Sequence, residues 1–322
     1  MQLRSSSLQN TLLDNLRLSL SELEPTPLSH QRFDQSHEWF EGQSNQQGQI
    51  LDWLCQRGAS RIEQRGVVPT CNRDPYRVLS VGCGSGILDR PLMQAWAGAA
   101  STGDAPGEIH YTAFDPNPVA CQRFRDEFGL LELPAVELSV MEETVESYAA
   151  SESFDFTHVV HALYYFEDPA ASIQALMQRV ADDGELVIFQ APKAELNLLA
   201  DCFWKEHSTD PIWFSRELDE HLCEQSIPFE RTRLDAEVDV TACFQDGCPE
   251  GNLTLDFLVQ SDCETLPREA RAEVLEYLRA ISREDQQRIL APHPVDVFTL
   301  PANCDQSEPS LIHCGASDAE SP

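Results

Sequence analysis

Positive charge is scarce in this chain. Lysine occurs only at Lys193 and Lys205, and 22 Lys plus Arg residues stand against 54 Asp plus Glu in 322 residues, a net charge of −32. Phosphate backbones and anionic bilayers are held by a basic footprint, which argues against nucleic acid or a membrane surface as partner. Long apolar runs are also missing; none approaches the roughly 18 residues of a membrane span. The 11 cysteines include no Cys-x-x-Cys pair, and the nearest approach, Cys243 and Cys248, leaves four residues between them. That spacing argues against a disulfide scaffold and against structural zinc. The opening Met1-Gln2-Leu3-Arg4-Ser5 has no signal-peptide core, so reduced thiols and a cytoplasmic location are expected. No Glu-x-x-His pair, other ligand cluster or Ser-His-Asp set stands out, and no metal is expected.

What is present suffices for a large core. The apolar fraction is 42%, ordinary for a globular chain. The acidic coat has two readings, a well-solvated surface, as a saline habitat would favour, or a field that attracts cationic substrates. Solvation is the simpler, because net charge bears on solubility before it bears on chemistry.

Leu12, Leu13, Leu16 and Leu20 recur at helical spacing, and Glu24-Pro25-Thr26-Pro27 breaks the pattern. Helical character returns over 33–57, with a polar bend over 43–49, and 58–75 reads as a connecting loop. From 77 onward strands and helices alternate. Strands are predicted at 77–81, 109–114, 136–140, 155–161 and 185–190, and helices at 87–97, 117–127 and 168–181. That alternation predicts a parallel, doubly wound α/β sheet. After 192 it stops. Helices are expected at 194–206, 215–224, 252–259 and 268–283. Adjacent antiparallel strands are expected at 228–234 and 236–244, with short strands near 296–299 and 310–314. The acidic tail 315–322 is expected to be disordered.

The chemistry-bearing stretch is Val78-Leu79-Ser80-Val81-Gly82-Cys83-Gly84-Ser85-Gly86, with Asp115 a further 29 residues on. A buried strand turns on three alternating glycines into a helix, and an acid waits at the tip of the next strand. Glycine lacks Cβ, so the backbone bends sharply and a ligand can lie against it. An acid at that tip can accept hydrogen bonds from ribose hydroxyls. The pattern is G-x-G-x-G rather than G-x-G-x-x-G, and the acid is further along than a dinucleotide fingerprint requires.

G-x-G-x-G with a distal acid is the form seen in class I S-adenosylmethionine-dependent methyltransferases. The blocks VLSVGCGSGILD, DFTHVVHALYYFEDPAASI and VDVTACFQDGCPEGNLTLDFL each resemble their counterparts in the histamine N-methyltransferase family. The resemblance runs loosely from about Phe33 to Leu278. It implies a seven-stranded Rossmann-like sheet with a smaller α+β substrate cap. The implied organisation is a helical cap segment over 1–58, a cofactor core over 59–192, and the rest of the sheet with cap insertions over 193–314. S-adenosyl-L-methionine is the implied cofactor and a small molecule the implied substrate, with the chain acting as a monomer.

Carried over by position, Gly82, Gly84 and Gly86 would hold the aminoacyl end of the cofactor. Asp115 would take the ribose, where the family has Glu, and Val160 would make the backbone contact after the fourth strand. The acceptor pocket would draw on Phe33, Gln46, His161, Tyr164, Tyr165, Trp204, Phe244 and Asn303. Aromatic faces there would exclude water and favour cationic character. Two departures bear on the acceptor. The family's substrate-reading acid falls on neutral Gln46 and its substrate-contacting Gln on His161. A neutral amide holds a cationic group less strongly than a carboxylate does, so the implied acceptor is an amine, imidazole or guanidine other than histamine. His161, with an ordinary pKa of about 6.5, is the candidate general base. Oxygen or sulfur methylation, or a non-catalytic binding module on the same fold, stays open. His158, an odd number of positions earlier on the same strand, should face the other way and be structural.

Overall fold

The computed structural model describes residues 2–20, 26–66, 74–100, 108–148, 152–204 and 212–302. In chain order its elements are α1 (Gln2–Leu20), α2 (His30–Gln43), α3 (Gln46–Gly66), β1 (Tyr76–Val81), α4 (Asp89–Ala100), β2 (Ile109–Phe114), α5 (Pro118–Phe128), β3 (Val136–Met141), β4 (Phe154–Val160), α6 (Pro169–Met177) and β5 (Val180–Gln190). There follow α7 (Leu196–Trp204), α8 (Ser215–Glu224), β6 (Glu230–Leu234), β7 (Glu237–Asp239), α9 (Pro249–Val259), α10 (Arg268–Ile281), β8 (Arg283–Asp285), β9 (Arg288–Pro292) and β10 (Val295–Pro301). Among the described residues, no helix is long and apolar enough to cross a membrane.

The chain divides into two compact units. One comprises Met1–Gln49, Ala191–Ile212 and Arg233–Val295, the other Ile50–Gln190, Trp213–Thr232 and Asp296–Pro322. The second unit is built on a seven-stranded sheet in the order β3-β2-β1-β4-β5-β10-β6. Strands β1 to β5 run parallel, and β10 returns antiparallel to β5. The order reverses between β1 and β4, the place where open α/β sheets form their ligand crevice. Strand β1 is buried on both faces, from Val78 to Val81, as a helix-covered parallel strand must be. Leu79, Val81, Phe114, Val159, Ile188 and Phe298 are among the residues of its core.

The first unit packs α1, α7, α9 and α10 around Leu16, Leu199, Phe203, Leu255 and Tyr277. A three-stranded sheet, β7-β9-β8, completes it. Asp256, fully buried on α9, is neutralised by Arg32 of α2 at 2.6 Å and also accepts the Cys263 N–H at 2.8 Å.

Several expectations are corrected. The helix expected to bend over 43–49 is two helices, broken at Ser44, whose N–H caps Glu41 and whose backbone is extended. Residues 58–66 extend α3 rather than forming a loop. Residues 182–184, expected to lie between the helix at 168–181 and the strand at 185–190, belong to β5, which takes a register shift opposite Phe154 and Phe156. Gly184 fits there because a Cβ would meet the Phe154 carbonyl at 2.7 Å. The strands expected at 228–234 and 236–244 do not pair with each other. Strand β6 takes the edge of the large sheet, while β7 pairs with β9. The chain past β7 turns because Asp239 accepts the Thr241 N–H at 2.9 Å. Residues expected to end a helix at 283 begin β8, part of a hairpin with β9. The strand expected at 310–314 and the tail 315–322 lie outside the described residues.

Candidate functional site

All three glycines of the turn after β1 have left-handed backbones, with φ of 68° at Gly82, 54° at Gly84 and 70° at Gly86. Their surroundings differ. A Cβ on Gly86 would sit 2.4 Å from the Phe124 ring of α5, and one on Gly82 would sit 2.5 Å from Ala162 Cβ. A Cβ on Gly84 would meet nothing within 4 Å. The outer two glycines therefore let neighbouring elements close in, and the middle one presents bare backbone to open space.

The turn is tied to the tip of β2. The N–H groups of Gly82 and Cys83 both donate to the Phe114 carbonyl, at 2.9 and 3.1 Å. Asp115 Oδ2 accepts the Gly84 N–H at 3.0 Å, and Asp115 Oδ1 accepts the Asn117 N–H at 2.8 Å. A carboxylate has about four lone-pair sites, so two backbone donors leave capacity for ribose hydroxyls. Asn117 then caps α5. Burial, with Asp89 and Asp115 nearby, pushes the Cys83 thiol well above its usual range and keeps it a neutral packing group.

Val160 ends β4, in register with Phe189 of β5. His161 follows with φ of 49°, its N–H donating to the Phe189 carbonyl at 3.1 Å. A left-handed non-glycine residue is uncommon, although histidine tolerates it better than most. Such conformations cluster at functional sites. His161 Nδ1 lies 3.3 Å from the Tyr164 hydroxyl, with the two rings stacked within 10° of parallel. Tyr164 and Tyr165 form a 3-10 turn over Leu163–Tyr165, and Tyr165 is 74% exposed. The second unit thus brings together Gly82, Gly84, Gly86, Asp115, Val160, His161, Tyr164 and Tyr165 at the C-terminal ends of β1, β2 and β4.

The remaining candidates fall in the first unit. Phe33 stacks on His37 at 6.1 Å and touches Phe257. Gln46 opens α3 and is fully buried. Its Nε2 donates to the carbonyls of His293 and Pro294, at 2.7 and 3.4 Å, so the amide the sequence offered as an acceptor-reading group is engaged by the turn before β10. Phe244 has the Arg279 guanidinium 4.1 Å from its ring centroid, which covers one face. Trp204 ends α7, and its side chain lies outside the described residues, as does Asn303.

The sequence reading missed two groupings. His293, in the β9–β10 turn, has its Nδ1 2.8 Å from the Ser44 hydroxyl and packs edge-on to Phe40. No motif marks it, because its partners are some 250 positions away in the chain. Glu108, His110 and Glu137 bring three potential ligand atoms within 4.8 Å of one another. The β2–β3 register pairs His110 with Glu137, a proximity that linear spacing cannot show. This group lies at the start of the strands, the opposite end from the glycine turn. A cavity of about 1000 Å³ lined by Ser153, Gln174, Val180, Asp182, His221 and Ala302 also opens at that far end.

The model of a methyltransferase domain matches residues 45–229, more than half of the chain. Histamine N-methyltransferase of Danio rerio is 27% identical over 170 residues, covering 50% of this chain and 58% of its own length. The Xenopus tropicalis enzyme of that name is 24% identical over 62% of this chain and 71% of its own, and the Bos taurus one 21% over 78% and 88%. A crystal structure of a putative methyltransferase from Bacillus halodurans covers 76% of this chain and 99% of its own, at 16% identity and a TM-score of 0.46. The glycine turn, the bare backbone at Gly84 and the strand-tip acid fit S-adenosylmethionine. With the domain match over the same segment, they place this chain in the family of S-adenosylmethionine-dependent methyltransferases.

Proposed function

We propose that the chain transfers the methyl group of S-adenosylmethionine to a nitrogen of a small amine or imidazole-containing metabolite other than histamine. The observation that carries this reading is the placement of His161, strained and stacked on Tyr164, on the strand tip beside the one that carries the cofactor turn. The names of the curated relatives support nitrogen as the acceptor atom.

When bound, the cofactor supplies an electrophilic methyl on a sulfonium centre. Gly84 would lie against its aminoacyl end, and Asp115 would accept its ribose hydroxyls. His161 would take the proton from the acceptor nitrogen. Tyr164, hydrogen-bonded to Nδ1, fixes the plane of the imidazole. Tyr165, largely exposed, would supply an apolar face that excludes water. Orientation and desolvation can account for most of the acceleration in such a transfer. The acceptor-recognition role of Phe33, Gln46, Trp204, Phe244 and Asn303 rests on the family resemblance.

Incubation with isotopically labelled S-adenosylmethionine and a panel of amines, imidazoles and guanidines tests the proposal. Label on the nitrogen of a panel member, read by mass spectrometry, is the expected result. Turnover confined to hydroxyl or thiol acceptors would overturn nitrogen as the target.

A further inference from the structure

Beneath the glycine turn lies a polar node that the chemistry above does not use. Asp89, Tyr111 and His158 are 3%, 1% and 2% exposed. The Tyr111 hydroxyl lies 2.7 Å from Asp89 Oδ1 and 2.8 Å from His158 Nε2. A tyrosine hydroxyl carries one proton. With that proton donated to the carboxylate, His158 must donate from Nε2–H. The oxygen then both donates and accepts, paired as a buried polar group must be.

Each partner sits on an element that carries part of the cofactor site. Asp89 opens α4, three residues past Gly86. Strand β1, which leads into Gly82, pairs with β4, so that Ser80 is in register with His158. Tyr111 lies on β2, four residues before Asp115, which follows the end of that strand. His158 lies three residues before His161. Above the node, Asp115 already closes on the Gly84 N–H.

We propose that the Tyr111 hydroxyl is a positioning group: by joining Asp89 and His158 it locks α4, β2 and β4 in the registration that aligns the glycine turn with Asp115 for cofactor binding. The inference rests on the cofactor reading of that turn. Partners that orient a metal's ligands alter affinity by about 10- to 100-fold, and a misplacement of about 1 Å can cost about 100-fold in rate; an effect on that scale is expected here.

The test uses the full chain, with S-adenosylhomocysteine affinity measured by calorimetry and unfolding of the ligand-free protein measured in parallel. Tyr111→Phe removes one oxygen and keeps the ring, and it should weaken binding about tenfold or more. His158→Leu should do the same, whereas His158→Gln, whose amide can still donate, should recover most of the affinity. Unchanged affinity in Tyr111→Phe with a lowered unfolding midpoint would make the node a stability element and overturn the proposal. Equal losses in His158→Gln and His158→Leu would also overturn it. Should Tyr111→Phe fail to fold, the His158→Leu and His158→Gln pair is read in the same two ways. Asp115→Ala separates the two readings. Wild-type binding that this variant weakens upholds the cofactor site whatever Tyr111 does, and no binding by the wild type removes both.

Discussion

Asp115 and Gly84 are joined by a 3.0 Å hydrogen bond from the glycine N–H to the carboxylate Oδ2. The acid at the tip of β2 therefore shapes the turn as well as facing the space above it. Removing it should have two consequences, of which loss of a simple ligand contact would bring only the first.

Asp115→Ala is expected to weaken S-adenosylhomocysteine binding by about 1–3 kcal/mol, as for a lost charge-assisted hydrogen bond. It should also lower the unfolding midpoint, because the Gly84 and Asn117 N–H groups both lose their acceptor. Calorimetry and thermal unfolding read the two effects. Unaltered affinity would remove Asp115 from the cofactor site.

Gly84→Ala and Gly86→Ala should separate folding from binding. Both place alanine at positive φ, at roughly 1–2 kcal/mol of backbone strain. Only Gly86→Ala also drives a methyl into the Phe124 ring, adding about 1–3 kcal/mol of overpacking. Gly86→Ala should therefore be the less stable in denaturant titration. Gly84→Ala should stay folded and lose cofactor affinity, because its methyl occupies open space over the turn. Unchanged cofactor affinity in Gly84→Ala would mean that Gly84 does not face the ligand.

His161→Gln restores the residue found in the resembling family. If His161 is the general base, wild-type kcat/KM should fall on the acid side of a histidine titration, and the variant should lose that limb together with about 100-fold or more in rate. Profiles that superimpose from about pH 6 to 9 would rule the role out.

Buried His158 and half-buried Glu41 should pull stability in opposite directions with pH. Burial lowers the pKa of His158 from its ordinary 6.5, so the unfolded chain binds the proton more readily. Its contribution is intact above pH 6.5 and is lost as pH falls below that value. Burial raises Glu41 from its ordinary 4.5 to about 7, so the folded chain holds the proton more tightly. Stability from that source falls as pH rises from 4.5 to 7, and the cost is fully present above 7. Glu41→Gln should raise stability at pH 8, on the order of 1 kcal/mol, and change it little at pH 4. His158→Gln should flatten the acid-side loss. Urea titrations across that range would show both, and a Glu41→Gln gain confined to acid pH would contradict the assignment.

Much of the cofactor half was legible in the chain. The glycine spacing, the apolar β1 and the acid 29 residues on are local features, fixed by what a single turn and the next strand permit. Helix α8 was placed at its observed ends, 215–224, because one amphipathic stretch suffices to define it. The far end of β5 was not legible, because its register shift is set by β4. The fate of β6 and β7 was not legible either. Neighbours in sequence joined different sheets, since β10 offered one an edge and β9 the other.

The sequence by itself determined that a strand, a glycine turn and a strand-tip acid would recur in the order a nucleoside cofactor requires. Those properties depend on residue type and short spacing. Only the tertiary structure decided that Gln46 donates to the carbonyls of His293 and Pro294 and that Tyr111 joins Asp89 and His158. It also decided that Arg279 covers Phe244. Those partners are separated by tens to hundreds of positions, and a polar or aromatic side chain takes its role from whichever group folding brings within about 3 Å for a hydrogen bond or about 6 Å for a cation over a ring.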